Sequence, residues 1–203
     1  MSKPTKICFY AVLTAAAMVV PWHTAVGGDL IKSGSVAFLK QERRVNLEYD
    51  DTGMKVGRNA KDSVPMEEFI ARENQKQAGH GDIWKLEWTG QRTLQYQPKF
   101  QELLNKQFAA DNVQLEFGTF KDAKYTLILK TKIMMTGKPW PPFPYPPKIT
   151  ADAVFEETNN RTNPVAVVNL VNVPGQSLWG PDMSEAYAKA GKDLGILIRG
   201  KIK

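Results

Sequence analysis

The chain contains almost no cysteine and almost no histidine. One of its 203 residues is cysteine, Cys8, and two are histidine, His23 and His80. Cys8 and His23 lie in a segment that we expect to be removed, so the mature chain would have no disulfide in an oxidising compartment. One histidine among carboxylates suits zinc badly, and no glycine-rich nucleotide loop is present. We therefore expect no metal and no cofactor.

The chain also lacks a transmembrane run, although its first 27 residues have the pattern of a secretory signal peptide. Lys3 and Lys6 precede an apolar run over residues 7–20, and small residues follow up to Gly27. That run is shorter than the roughly 20 apolar residues of a membrane-spanning helix. We expect cleavage after Gly27 and export to the periplasm or the extracellular space. The cysteine lacks the context of a lipoprotein cysteine, so no lipid anchor is expected.

The charge of the chain is only mildly basic. The formal net charge is +6, and lysine and arginine are interspersed with aspartate and glutamate nearly everywhere. A nucleic-acid-binding protein needs a clustered basic stripe, so nucleic acid is not an expected partner. Residues 28–203 have the length of a single domain with one core of normal size.

Alternating apolar and polar residues predict most of the strands. Residues 45–49 and 54–56 alternate on either side of the turn sequence Asp50-Asp51-Thr52-Gly53, which predicts a β-hairpin. Residues 28–34 are expected to form a loose leader. Further strands of an antiparallel meander are predicted over residues 113–117, 125–135, 149–156 and 165–171.

Helical spacing predicts three helices. A short helix is expected over residues 65–77, and Phe100, Leu103, Leu104 and Phe108 place one apolar face on a helix over residues 98–110. The third helix runs from Met183 to about residue 199, where three glycines weaken it. Residues 83–88 are ambiguous, because their apolar residues alternate as in a strand while a glycine-rich loop precedes them. We assign them to a loop or a short strand.

Together these elements predict an α+β domain. Its architecture would be a two-layer sandwich, with an antiparallel sheet of four or more strands. Helices over residues 98–110 and 183–199 would cover one face of the sheet, and the other face would be partly exposed.

Residues 138–148 are the most unusual segment, because six prolines there alternate with three aromatic residues, Trp140, Phe143 and Tyr145. Proline fixes φ near −65° and donates no hydrogen bond, so the segment must be extended and stiff. Its place between two predicted strands makes it a loop at a hairpin end. The aromatic rings either fold back onto the domain or contact a partner.

Three segments carry a resemblance to known proteins: residues 117–129, the dipeptide Pro174-Gly175, and residues 185–195. They resemble secreted proteins of unknown function from Bacteroides-type bacteria. More distantly, residues 96–203 are similar to envelope domains related to the amino-terminal domain of TolB and to outer-membrane assembly lipoproteins. The resemblance implies an α/β sandwich in the cell envelope and brings no activity. The lipoprotein relatives have an anchoring cysteine that is missing here, and the proline segment belongs to neither pattern.

No catalytic constellation is found. His80 lies between two glycines without an orienting partner. Three pairs of adjacent carboxylates occur, and solvation explains them better than glycosidase chemistry, because adjacent strand residues point to opposite faces. The pairs are Asp50-Asp51, Glu67-Glu68 and Glu156-Glu157. We therefore do not expect an enzyme.

Three functions remain open from the sequence, and hydrolase activity around His80 and a carboxylate is the least favoured of them. The first is an envelope protein that engages an unknown partner protein, or a second copy of itself, through Trp140, Phe143 and Tyr145. The second is a carrier that holds a lipid, peptide or glycan on the open sheet face, with Trp84, Trp88 or Trp179 as contacts. These three tryptophans also suit a core position. Peripheral membrane contact through the basic side of the last helix is not favoured.

Overall fold

The computed structural model describes residues 30–109, 113–137, 145–177 and 180–203. The strands are β1 (Ile31–Gly34), β2 (Arg44–Asp50), β3 (Lys55–Gly57), β4 (Val64–Pro65), β5 (Glu116–Gly118), β6 (Tyr125–Met135), β7 (Lys148–Glu157), β8 (Ala166–Pro174), β9 (Gln176–Ser177) and β10 (Gly180–Pro181). The helices are α1 (Met66–Lys76), α2 (His80–Gln91), α3 (Gln97–Ala109) and α4 (Met183–Ile202). A 3₁₀ helix spans Ala37–Gln41, and a π-helical turn, Arg92–Tyr96, joins α2 to α3.

Eight of these strands form one mixed sheet with the main order β1-β8-β7-β6-β2-β5. β6, β7 and β8 form an antiparallel meander, and β1 adds a fourth antiparallel strand beside β8. β2 and β3 run parallel to β6, and β5 runs parallel to β2. The predicted α+β sandwich is confirmed, and the parallel strands extend the antiparallel sheet on one side.

The predicted hairpin over residues 45–56 is wrong, because both of its strands run in the same direction along β6. The turn itself is present. Gly53 has a φ of +72°, and the Met54 amide donates a hydrogen bond to the Asp51 carbonyl oxygen at 3.0 Å. The chain then resumes its former direction, so the turn inserts additional residues between the two strands that pair with β6. The turn residues are those expected, but β2 and β3 pair with β6, which is distant in the chain, and not with each other.

The expectation of a loose leader is wrong for residues 31–34. They form β1, the edge strand of the sheet, with Ile31 opposite Val168 and Gly34 opposite Ala166. The signal in the sequence is weak, because three of the four residues of β1 are exposed and the strand has no apolar face of its own.

The core lies between the sheet and helices α3 and α4. Phe100, Leu104 and Phe108 of α3 are buried, which confirms the apolar face predicted for that helix. From α4 the buried side chains include Ala186, Tyr187, Ala190, Leu194 and Ile198. They pack on rows of facing strand residues such as Leu127 with Phe155 and Leu129 with Ala153. Asp182 caps α4 by accepting a hydrogen bond from the Ser184 amide at 2.8 Å.

The opposite face of the sheet combines polar side chains that pair with one another and an apolar row of Ile128, Val154 and Val167. Asn46 donates to Thr126 at 3.3 Å, and Arg161 donates two hydrogen bonds to the Glu48 carboxylate at 2.7 and 2.8 Å. The Arg161 guanidinium holds the pKa of Glu48 below its usual value. Ile128 and Val154 are only 8% and 5% exposed, so they offer little apolar surface to a ligand.

Candidate functional site

Residues 80–109 form one continuous helical segment made of α2, the π-helical turn and α3. Along it a series of side chains recurs at every fourth position. The series consists of Trp84, Trp88, Arg92, Tyr96, Phe100, Leu104 and Phe108. Its carboxyl-terminal half forms the core under α4, and its amino-terminal half forms the candidate site.

The π-helical turn keeps this series on one side of the segment. An α-helix has 3.6 residues per turn, so each four-residue step overshoots a turn by about 40°. Over the five steps from Trp88 to Phe108 that error would reach about 200° and turn Phe108 toward solvent. A π-helical turn holds more residues and takes up part of the error. Pro98 follows this turn and has no amide hydrogen to donate to the Leu94 carbonyl, as a regular α-helix would require.

The assignment of residues 83–88 to a loop or short strand is wrong. They lie within α2, where Trp84 and Trp88 are four residues apart on one face and Leu86 points away, with 75% of its surface exposed. The alternation of three apolar residues suggested a strand, but only two of them are directed inward. His80 is the first residue of α2, and Gly79 before it has a φ of +79°.

The two tryptophans form a parallel aromatic pair. Their ring centroids are 6.2 Å apart and their planes differ by 8°, while Phe69 of α1 meets the Trp84 ring edge-on at 4.8 Å. The Arg92 guanidinium lies 5.1 Å from the centroid of the Trp88 ring and pairs with Asp51, whose side chain is 9% exposed. The tryptophan pair therefore lies between Phe69 of α1 and the ion pair of Arg92 with Asp51.

Below the tryptophans lies a buried tyrosine pair. Tyr96 stacks on Tyr187 of α4 with centroids 5.3 Å apart, and the Tyr187 hydroxyl is 3.1 Å from the Thr131 hydroxyl. Burial raises the pKa of Tyr96 to about 12 and raises that of Tyr187 as well. Both hydroxyls are therefore neutral hydrogen-bonding groups at neutral pH. Trp88 Nε1 and Arg92 Nε are buried without a hydrogen-bond partner among the described residues.

A cleft of about 350 Å³, which we name the aromatic cleft, opens beside the tryptophan pair. Helix α2, the π-helical turn, the end of β6 and the start of α4 enclose it. Its lining combines aromatic rings with side-chain amides and carboxylates: Trp84, Glu87, Trp88, Gln91, Gln95, Tyr96, Met134, Thr136, Pro147, Asp182 and Met183.

A second cleft of about 440 Å³, which we name the basic cleft, lies between β3, β4 and α1. Three cationic side chains line it, together with Asp62, Glu73 and a partly apolar floor. The cations are Arg58, Arg72 and Lys76. Trp84 and Thr136 line both clefts, so the two meet at these residues.

The structure brings together only part of the predicted site. Trp84 and Trp88 line the aromatic cleft, but on the helical side of the sheet rather than on its open face. Tyr145 is 39% exposed, just before the buried Pro147. Trp140, Phe143 and Trp179 lie outside the described residues.

Sequence reasoning missed the polar lining of the aromatic cleft, namely Glu87, Gln91, Gln95 and Asp182. The four-residue spacing from Trp84 to Phe108 was the available signal. It predicts a single helix through residues 83–98, which would have placed Gln91 and Gln95 beside the tryptophans.

The carboxylates of the first pair, Asp50-Asp51, and His80 each contact other side or main chains. Asp51 binds Arg92, while Asp50 accepts a hydrogen bond from the Thr52 amide at 2.9 Å, so the two carboxylates serve different partners. His80 Nδ1 is 3.5 Å from the Glu73 carboxylate, and the His80 side chain is 54% exposed. Across the described ranges, no cluster of three or more potential metal ligands occurs.

None of the helices that the structure describes is both long and apolar enough to cross a membrane. No family model, curated protein or solved structure matches the chain. The resemblance to Bacteroides-type secreted proteins therefore stays a prediction, and the function is argued from the two clefts.

Proposed function

We propose that the protein is a non-enzymatic binding protein of the cell envelope that holds a peptide or a glycan in the aromatic cleft. The observation that carries this proposal is the parallel Trp84 and Trp88 pair beside the side chains of Glu87, Gln91 and Gln95. Flat rings supply apolar contact area at low entropic cost, and nearby amides and carboxylates orient the ligand.

The lining favours a polar polymer over a lipid. Amides, carboxylates and a hydroxyl border the cleft alongside its aromatic rings, and a lipid chain would leave those groups unpaired.

Binding is also favoured over catalysis. Asp182 is engaged as the cap of α4, and burial keeps the hydroxyl of Tyr96 protonated far above neutral pH.

The substitution Trp84→Ala tests this function. We expect it to weaken ligand binding at least tenfold, because it removes half of the aromatic pair while Trp88 stays in the core. Binding is first located with a glycan array and a peptide array probed with residues 28–203, and the affinity of the hit is then measured by calorimetry.

Leu86→Ala is the matched control, since Leu86 lies on the outer side of the same helix. It should retain full affinity. Equal binding by Trp84→Ala and the wild type would contradict the proposal, as would the absence of any hit on either array. Circular dichroism confirms that both variants are folded.

A second candidate is the docking of a partner protein through Trp140, Phe143 and Tyr145. The exposure of Tyr145, at 39%, favours it, because a partly exposed aromatic side chain can be buried by a partner. Replacing the three residues by alanine should abolish partner capture in whole-cell cross-linking without lowering the melting temperature. A large loss of stability would show instead that the rings belong to the core.

A further inference from the structure

The two clefts adjoin each other. Trp84 and Thr136 belong to the walls of both, and no other residue is shared between the two linings. The Trp84 ring therefore lies between the two clefts. It is half-buried and contacts the rings of Phe69 and Trp88. A ligand in one cleft that is longer than the cleft must pass this ring to continue.

The two clefts differ in the charges of their lining residues. In the aromatic cleft the charged lining residues are both carboxylates, Glu87 and Asp182. The basic cleft has Arg58, Arg72 and Lys76 against Asp62 and Glu73.

Most of the charges in the basic cleft are already engaged. Arg72 pairs with Glu68 and Lys76 pairs with Glu73. Asp62 accepts a hydrogen bond from Asn59 at 2.5 Å. Arg58 is exposed and has no ion pair with a described residue, so its guanidinium is available to an anionic ligand group.

We infer that the two clefts form a single groove for an extended peptide that carries a cationic group and an anionic group. The cation lies beside Glu87 and Asp182, the anion lies beside Arg58, and the chain between them packs on Trp84. This inference rests on the proposed function and narrows it from a peptide or glycan to a peptide. A neutral glycan would use neither set of charges, whereas a peptide supplies both and also offers amides to Gln91 and Gln95.

The experiment uses pentapeptides that are acetylated at one end and amidated at the other, so that only side chains are charged. The probes are Lys-Gly-Tyr-Gly-Glu, the reversed sequence Glu-Gly-Tyr-Gly-Lys, and a neutral peptide with glutamine at both ends. A neutral chitin hexasaccharide is the glycan probe. Affinities for residues 28–203 are measured by NMR titration at low salt.

We expect one of the two charged peptides to bind more tightly than the neutral peptide. Arg58→Gln and Glu87→Gln should each weaken that binding about two- to fivefold, the range of an exposed ion pair. Lys61→Gln and Glu67→Gln remove the same charges at exposed positions outside both clefts and should leave the affinity unchanged.

The failures of the two proposals are distinguishable. If Trp84→Ala abolishes binding of a probe while Arg58→Gln and Glu87→Gln have no effect, the groove inference is overturned and the binding function stands. Preference for the chitin hexasaccharide over all three peptides would likewise overturn the groove inference and leave the binding function standing. If no probe binds, or if Trp84→Ala binds like the wild type, the groove inference is overturned and the proposed aromatic cleft loses its support.

Discussion

Helix α4 lies very close to the backbone of helix α3 at Gly191. A Cβ atom at this position would lie 2.1 Å from the Phe100 carbonyl oxygen, which is far inside contact distance. At Gly195, one turn later, a Cβ atom would lie 2.6 Å from the Gln107 side chain and 3.0 Å from the Leu104 carbonyl oxygen. The sequence suggested that these glycines only weaken α4. Their role is to let two helical backbones approach each other, while Gly200 is exposed and has open space around it.

Gly191→Ala and Gly200→Ala should therefore have opposite effects on stability. We expect Gly191→Ala to lower the free energy of unfolding by about 1–3 kcal/mol, because the methyl group collides with backbone. Gly200→Ala should raise it by roughly 0.5–1 kcal/mol, because alanine is the better helix former. Urea denaturation followed by circular dichroism measures both. A stabilising effect of Gly191→Ala would show that α3 and α4 are further apart than described.

At the level of elements, the π-helical turn Arg92–Tyr96 links the candidate site to the core. It sets the rotation of α2 relative to α3, and so the direction in which Trp84 and Trp88 point. The tyrosine pair below it connects this segment to α4 through Tyr96 and Tyr187. The aromatic cleft is thus positioned by a helical irregularity and not by a loop.

Inserting one alanine after Leu94 tests this role, because the π-helical turn already accommodates one additional residue and a second one must change the rotation of α2. We expect α2 to rotate by about 100° relative to α3. The near-ultraviolet circular dichroism of the tryptophan pair should collapse, and ligand binding should be lost, while the far-ultraviolet spectrum stays helical. The free energy of unfolding should fall by about 2–5 kcal/mol as the packing around Tyr96 is lost.

The control for this insertion is Leu94→Ala, since Leu94 is 78% exposed and its side chain contributes little to packing. That variant should keep the native spectrum and stability. An insertion variant with an unchanged near-ultraviolet spectrum would mean that the turn does not control the tryptophans.

At the level of the whole molecule, stability depends on packing. The only cysteine, Cys8, precedes the described residues, and one contiguous set of buried apolar side chains joins the sheet to α3 and α4. The two clefts lie where α1 and α2 meet the end of β6, at the margin of that core. This arrangement leaves Trp84 half-buried and Trp88 buried, and their neighbours hold both rings in place.

For the whole molecule we predict that the chain is exported. Expressed from its own first residue in a Gram-negative host, the protein should be recovered from the periplasm or the medium with Gly28 at its amino terminus. Intact-mass spectrometry measures this, and a reducing agent should not change the melting temperature of the processed protein. Recovery of a cytoplasmic protein that retains residues 1–27 would contradict the prediction.

How much of the fold could be predicted depended on whether the signal was local. Tyr125–Met135 and the apolar face of α3 were predicted nearly as observed, because both are long and strongly periodic. Of the candidate site, Trp84 and Trp88 were predicted, but on the wrong face of the sheet. A short window around them shows alternation, and only the longer four-residue spacing reveals a helix.

The sequence by itself determined the type of most elements and the α+β class, since apolar periodicity records which side of a helix or strand is buried. Only the tertiary structure decided the direction of β2 and β3 beside β6, the close approach at Gly191, and the two clefts that meet at Trp84. Each of these depends on contacts between segments far apart in the chain. Residue order records the preferences of one segment, whereas pairing register and helix rotation are set by the partners that the segment meets.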